Sequence, residues 1–125
     1  MKIINKVKNL KANGHYALAV VDEGRVYLSG QFSIDPNTGE KKFGTMQDEL
    51  KQILNNIELI LQEAGSCKEK VLKVNIYIND LDKWAVVDSI YSDFFQNHTP
   101  ARTIATLSKL HFGFKVEVDV IASCK

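Results

Sequence analysis

The chain has 125 residues, with 16 lysines and arginines against 15 aspartates and glutamates and a formal net charge of +1 at pH 7. The length predicts one domain over residues 1–125 with a modest hydrophobic core. The balanced charge gives no electrostatic reason to expect nucleic acid or a membrane surface as a partner. No stretch approaches the roughly 20 apolar residues of a membrane-spanning helix, and the first residues lack the pattern of a signal peptide. We therefore expect a cytoplasmic protein.

The cysteines and histidines give no sign of a metal or redox centre. Cys67 and Cys124 are far apart, no CxxC pair occurs, and none of the three histidines is spaced to complete a zinc set. We predict two free thiols in a reduced compartment and no metal site. His15, His98 and His111 all stand beside predicted turns, and we interpret them as loop residues.

The first predicted elements form a β-hairpin. Residues 16–21 are rich in β-forming side chains, Asp22-Glu23-Gly24 supplies a turn, and residues 25–29 resume the extended pattern. Gly30 ends or bends the second strand at a point where the backbone can approach another group closely.

The clearest helical pattern lies between Met46 and Ala64, where apolar residues recur at steps of three and four. Thr45 and Asp48 fit a capping box at its start. Gly65 fits the left-handed position that ends many helices.

The second half of the chain predicts a strand, a helix and two further strands. Residues 72–79 alternate between apolar and polar side chains, as in a half-buried strand. A second helix follows, with Asp82 as the expected N-cap, and residues 96–100 end it. Residues 102–107 and 114–122 complete the pattern as two strands.

The predicted order β-β-α-β-α-β-β indicates an α+β fold with two helices on one face of the sheet. Several strands carry apolar side chains at both parities, as Val26 and Leu28 do on one side and Tyr27 on the other. The second face therefore needs cover too, which a symmetric oligomer would supply.

Two charged residues in the last two strands are the candidates for chemistry. Arg102 follows Pro100, whose fixed φ restricts how the chain enters the strand, and a guanidinium can bind a carboxylate with two hydrogen bonds. Glu117 stands between two valines, so a partly desolvated carboxylate there could position or deprotonate a water molecule. The alternative for Arg102, which spacing alone favours, is a surface cation paired with an aspartate or glutamate. Glu117 could lie on the polar outer face of an edge strand, with Asp119 beside it.

Several segments in one order resemble the reactive intermediate deaminase A (RidA, YjgF-type) family over about residues 14–122. No single motif decides the resemblance, but the ordered set is specific. The segments are Gly14-His15-Tyr16, Leu28-Ser29-Gly30-Gln31, Pro36-Asn37-Thr38-Gly39, Asn56-Ile57, Ala64-Gly65, Val71-Leu72-Lys73-Val74, the stretch from Tyr91 to Phe95, Pro100-Ala101-Arg102-Thr103 and Val116-Glu117-Val118.

The resemblance implies a chorismate-mutase-like α+β fold and a homotrimer with clefts between its subunits. It also implies hydrolysis of 2-iminobutanoate, 2-iminopropanoate and the related enamines to 2-oxo acids and ammonia, without a metal or an organic cofactor. A non-enzymatic protein that binds a small ligand in the same cleft is the alternative, because a fold does not prove a chemistry. Nuclease or translation-inhibitor activity has also been assigned to this family, and the near-neutral charge and the lack of a basic and aromatic patch argue against it here.

The resemblance also implies roles for particular residues. Arg102 matches the arginine that binds the substrate carboxylate, and Glu117 matches the glutamate that positions the attacking water. Tyr16, Ser29 and Gly30 match positions that line the pocket.

The chain departs from the family pattern at four positions. Ile104 stands where the family often has a cysteine that contributes backbone contacts, which its own backbone could still make. His15 and His111 replace prolines at the expected rim of the cleft, and Asp88 replaces an asparagine on the second helix. These departures bear on the range of substrates more than on the reaction.

Overall fold

The computed structural model describes residues 1–125 as a six-stranded sheet with two helices, together with a separate two-stranded ribbon. The strand order in the sheet is β1-β4-β5-β8-β6-β7, and only β6 and β7 run parallel. The predicted α+β fold class is confirmed. The elements are β1 (Lys2–Ile4), β2 (Lys6–Val7), β3 (Leu10–Lys11), β4 (Ala19–Asp22), β5 (Arg25–Leu28), α1 (Met46–Glu63), β6 (Val71–Ile78), α2 (Trp84–Phe95), β7 (Ala101–Thr106) and β8 (Val116–Ser123).

Three short N-terminal strands were not predicted. β1 extends the sheet beside β4, while β2 and β3 pair only with each other. Strands of two or three residues are too short to show an alternating pattern, so their pairing depends on contacts made elsewhere in the fold.

Helix α1 begins at the predicted residue and ends one residue before the predicted end, at Glu63. The Thr45 hydroxyl accepts a hydrogen bond from the Asp48 amide at 3.1 Å, and the Asp48 carboxylate accepts one from the Thr45 amide at 3.4 Å. Gly65 follows the helix with a φ of +80°, which favours glycine. The apolar stripe of the helix, including Leu50, Ile53 and Ile57, is fully buried against the sheet and α2.

The start of α2 differs from the prediction. The Asp80 carboxylate accepts a hydrogen bond from the Asp82 amide at 3.0 Å and caps a short 3-10 turn over Leu81–Lys83. Helix α2 then starts at Trp84 without a side-chain cap, so the expected capping role of Asp82 is wrong. This turn lies between the end of β6 and the helix, and Asp80, which directly precedes the turn, takes the capping position.

Strand β8 lies in the middle of the sheet, between β5 and β6. Its valines at 116, 118 and 120 are buried on the helix side, and the intervening residues point to the other side. The alternative that placed Glu117 on an edge strand is therefore wrong. The sheet core is continuous from β5 through β8 to β6, and the two helices cover it.

The face of the sheet away from the helices is uncovered in a single copy. The register aligns Ile3, Val20, Tyr27 and Ile121 in one row across four strands. Ile3 is 53% exposed and Tyr27 is 44% exposed, although both belong to residue types that usually gain stability from burial. This apolar row is what the sequence predicted for the second face, and an oligomer that covers it stays a prediction.

Candidate active site

Four of the sequence-predicted site residues meet in one cleft near the ends of β5 and β8. Its volume is about 420 Å³. Tyr16, Ser29, Gly30 and Glu117 line it, and aromatic side chains complete the wall. The full lining consists of Asn13, Tyr16, Ser29, Gly30, Phe32, His111, Phe112 and Glu117.

Gly30 allows the Glu117 carboxylate to sit directly against the backbone. A Cβ atom at position 30 would overlap Oε2 of Glu117 and lie 2.9 Å from its Cδ. The φ of Gly30 is outside the left-handed region, so the glycine is needed for space and not for its backbone angle. The close approach that the sequence suggested for Gly30 is therefore an approach to the Glu117 side chain.

The surroundings of Glu117 favour its protonated form more than water does. Partial burial raises the pKa of this carboxyl above the ordinary 4.5, and the charge of Asp119 raises it further. His111 opposes both effects and lowers the pKa. A carboxylate with a raised pKa is a stronger base, which suits a group that must take a proton from water.

Ser29 and Tyr16 are held by the loop before the hairpin. The Ser29 hydroxyl donates to the carbonyl of Ala17 at 2.7 Å, so its lone pairs are left to accept a hydrogen bond from a ligand. The Tyr16 hydroxyl accepts a hydrogen bond from the Asn13 amide at 3.3 Å, and the residue is 51% exposed. Both side chains therefore reach the cleft from fixed backbone positions.

Arg102 lies elsewhere, against helix α2. Its Nη1 donates to Oδ1 of Asp88 at 2.7 Å, and its guanidinium carbon is 4.7 Å from the centre of the Tyr91 ring. In the single chain Arg102 is therefore paired with an acidic residue, as the alternative interpretation of the sequence predicted. Arg102 and Asp88 line a second cavity of about 500 Å³ between α2 and the start of β7, with Tyr91, Ser92, Phe95, Gln96, His98, Thr99 and Pro100.

Within one chain, Arg102 and Glu117 lie on opposite faces of the sheet. Arg102 pairs with the buried Val74 of β6, and Glu117 pairs with Tyr77 three residues further along the same strand. Directly paired residues project to the same side, and alternate residues project to opposite sides. Strand β6 also separates β7 from β8, so the spacings of a sheet put the two Cα atoms about 14 Å apart. β7 and β8 follow one another in the chain but are not neighbours in the sheet, since the chain after β7 crosses over β6.

Ile104 joins neither cavity. It pairs with Ile76 of β6 and packs partly buried against the hydrophobic core. Its side chain is thus on the same face as that of Arg102, two residues earlier.

The sequence did not identify the aromatic wall of the Glu117 cleft. Phe32 makes edge-to-face contacts with His111 and Phe112, at ring-centre distances of 6.1 and 6.4 Å. Phe112 has a φ of 61°, and the ammonium of Lys41 is 4.5 Å from its ring centre. The turn at His111-Phe112-Gly113 is visible in the sequence, but its contact with Phe32 is a long-range one. His111 was predicted as a loop residue; it begins a short 3-10 turn between β7 and β8, and it also faces the cleft.

The structure shows no helix long and apolar enough to cross a membrane. It also brings no three His, Cys, Asp or Glu side chains together in the way that a metal ion requires. Cys67 and Cys124 are both free, as predicted, and both are partly buried.

Comparison with known proteins identifies the family. The family profile described as Endoribonuclease L-PSP matches residues 6–124. The 2-iminobutanoate/2-iminopropanoate deaminase of Bos taurus is 36% identical over 121 residues, which cover 97% of this chain and 88% of that protein.

Two solved structures share the fold. RidA from an Antarctic Psychrobacter superposes with a TM-score of 0.92 at 31% identity, covering 98% of this chain and 99% of the other. TdcF of E. coli, solved with bound serine, superposes with a TM-score of 0.89 at 30% identity, covering 98% of each chain. The matched residues, the relatives and the fold agree, and the chain belongs to the RidA (YjgF, L-PSP) family.

Proposed function

We propose that the protein is a hydrolytic deaminase that converts 2-imino acids, such as 2-iminobutanoate and 2-iminopropanoate, to 2-oxo acids and ammonia. The observation that carries the proposal is the placement of Glu117. Its carboxylate is half-buried, has a raised pKa and lies against Gly30 in a cleft of a size that suits a small acid. Relatives over nearly the whole chain are named for this activity.

In the proposed reaction Glu117 holds a water molecule next to the imine carbon. The water oxygen bonds to that carbon, its proton passes to Glu117, and the electron pair of the C=N bond moves to nitrogen. Glu117 then returns this proton to the nitrogen. The hydroxyl proton passes to the nitrogen as the C–N bond breaks, so that ammonia leaves and the C=O bond of the 2-oxo acid forms. Imines already react with water, so orientation and one well-placed base supply sufficient acceleration.

Arg102 is the proposed anchor for the substrate carboxylate. Because Arg102 and Glu117 face opposite sides of the sheet in one chain, one copy cannot bring both to a small substrate. We therefore place the complete site between two copies, with Arg102 from one and Glu117 from the next, in a homotrimer. Such contacts would also cover the apolar row that contains Ile3 and Tyr27.

A carboxylate-binding protein without catalysis is the second candidate. Arg102 and its cavity have the chemistry to hold a small carboxylic acid without Glu117, and the related TdcF has been solved with bound serine. Endonuclease activity has less support, because a net charge of +1 provides little of the basic surface that RNA binding needs.

The activity is tested by generating 2-iminobutanoate with an amino-acid oxidase and trapping it with semicarbazide. The protein should lower semicarbazone formation, and Arg102→Ala and Glu117→Gln should each abolish most of the effect. The matched controls are Arg25→Ala and Glu63→Gln, which remove the same charges at exposed positions. If the unmodified protein does not lower semicarbazone formation with any of several amino acids, the hypothesis of a non-catalytic binding protein is favoured.

The shared site is tested by mixing the two inactive variants. If each site takes Arg102 from one copy and Glu117 from another, random mixing of equal amounts should restore about a quarter of the sites. If both residues acted within one copy, the mixed oligomers would stay inactive. Analytical ultracentrifugation that finds only monomer at micromolar concentration would contradict the shared site directly.

A further inference from the structure

The Arg102 cavity contains a carboxylate of the protein itself. Oδ1 of Asp88 accepts a charge-assisted hydrogen bond from Nη1 of Arg102 at 2.7 Å. The Asp88 side chain is 43% exposed and that of Arg102 is 23% exposed, so the pair lies at the mouth of the cavity and not inside the core. The cation proposed to bind the substrate carboxylate is thus already paired in the unliganded chain.

Asp88 is the only carboxylate among the residues that line this cavity. The Tyr91 ring lies under the guanidinium, and burial raises its pKa to about 12, so it is uncharged at neutral pH. The ring of His98 is engaged with the Val71 carbonyl at 2.7 Å. Within one copy, the charge that an arriving anion meets beside Arg102 is therefore that of Asp88.

The pairing leaves most of the arginine donors free. A guanidinium has five N–H groups, and Asp88 accepts from one nitrogen only. A second carboxylate can therefore bind Arg102 beside Asp88, but its negative charge then lies close to that of Asp88. Like charges at such a distance repel one another, and partial burial strengthens the repulsion.

We propose that Asp88 is a specificity-determining residue that mimics a substrate carboxylate and weakens the binding of anions at Arg102. This inference rests on the proposed role of Arg102 as the substrate anchor. Asp88 lets a monocarboxylic 2-imino acid bind with moderate affinity and discriminates against dicarboxylic ones, whose second carboxylate adds to the repulsion. The selected substrate class is therefore small monocarboxylic 2-imino acids.

Asp88→Asn is the direct test, because asparagine keeps the shape and the acceptor oxygen and removes only the charge. Isothermal titration calorimetry with 2-oxobutanoate, a stable monocarboxylate, should show binding to Asp88→Asn about fivefold tighter than to the unmodified protein. With 2-oxoglutarate, a dicarboxylate, the gain should be larger. Asp93→Asn is the matched control, since it removes an exposed negative charge from the same helix and should leave both affinities unchanged.

Kinetics separate competition from orientation. If Asp88 competes with the substrate, Asp88→Asn lowers KM for 2-iminobutanoate and leaves kcat unchanged. If Asp88 only orients Arg102, Asp88→Asn leaves KM unchanged or raises it, and the proposal is overturned. Asp88→Ala, which also removes the acceptor, gives a second measurement should the asparagine variant fold poorly, and competition again predicts tighter binding.

Arg102→Ala distinguishes this inference from the proposed function. Loss of 2-oxobutanoate binding in Arg102→Ala, together with unchanged or weaker binding in Asp88→Asn, overturns the competing role of Asp88 and leaves the anchor intact. Unchanged binding in Arg102→Ala overturns the anchor itself, and the inference about Asp88 with it.

Discussion

Replacement of Gly30 by alanine tests whether the position of the Glu117 carboxylate matters for the reaction. The new Cβ would overlap Oε2 of Glu117 and lie 2.9 Å from its Cδ, whereas ordinary contacts of a Cβ atom are 3.4–4 Å. The carboxylate must therefore move away by at least about 0.5 Å at Cδ, and by more at Oε2.

The expected effect is large on catalysis and small on stability. A displacement approaching 1 Å of a catalytic group costs up to about 100-fold in rate, or about 2.7 kcal/mol, so we expect kcat to fall by about 10- to 100-fold. KM should change little, because the proposed anchor is Arg102. The backbone of Gly30 accepts a side chain and the Glu117 side chain can rotate, so the free energy of unfolding should stay within about 1 kcal/mol.

The measurement is the steady-state kinetics of the Gly30→Ala variant in the semicarbazide assay, with thermal unfolding in parallel. Gly65→Ala is the control for stability alone. Gly65 has a φ of +80° and open space around it, so alanine there should destabilise the fold by about 1–2 kcal/mol and leave kcat unchanged. In a Glu117→Gln background Gly30→Ala should add little further loss. A Gly30→Ala variant with wild-type kcat would refute the reasoning.

Three further predictions follow from the buried polar groups. Only the ionised Glu117 can accept a proton, so kcat/KM should fall on the acid side with a midpoint above pH 4.5, and a midpoint at or below 4.5 would contradict this. His111→Gln should raise the midpoint further, because His111 lowers the Glu117 pKa. The fully buried Glu49 carboxylate accepts a hydrogen bond from the Lys115 amide at 2.8 Å. In urea unfolding, Glu49→Ala should lower the free energy of unfolding by about 2–3 kcal/mol, and Glu49→Gln should lower it clearly less. Equal losses in the two variants would rule out the hydrogen bond as the cause. The buried hydroxyl of Tyr91 has no hydrogen-bond partner in the single chain, so Tyr91→Phe should leave the free energy of unfolding unchanged or raise it. A decrease of more than about 1 kcal/mol would indicate that the hydroxyl has a partner in the assembled protein.

The elements that rest on local rules were predictable from the sequence. Helix α1 was predicted to within one residue at its end, because its apolar period and the Thr45–Asp48 capping box are local signals. The alternating burial in β6 and β8 followed from period-two patterns in the same way. The predicted N-cap of α2 was wrong because Asp80 and Asp82 are both suitable capping residues, and their spacing does not show which of them caps a helix.

The candidate site was predictable only as a set of residues. The resemblance identified Tyr16, Ser29, Gly30 and Glu117, and the structure places these four in one cleft. The aromatic wall and the partner of Arg102 were not predictable, since each joins segments far apart in the chain. Periodicity reports which side of an element is apolar, but not which distant side chain it meets.

The sequence by itself determined the family, the fold class and the presence of a fixed cation and a half-buried carboxylate in the last two strands. Only the tertiary structure decided how these two charges are related. Strand β6 inserts between β7 and β8, and its register with each of them sends Arg102 toward the helices and Glu117 toward the open face. Because side chains alternate with a period of two, a shift of one residue in either register would have reversed this relation, and register is set by long-range pairing that no local pattern contains.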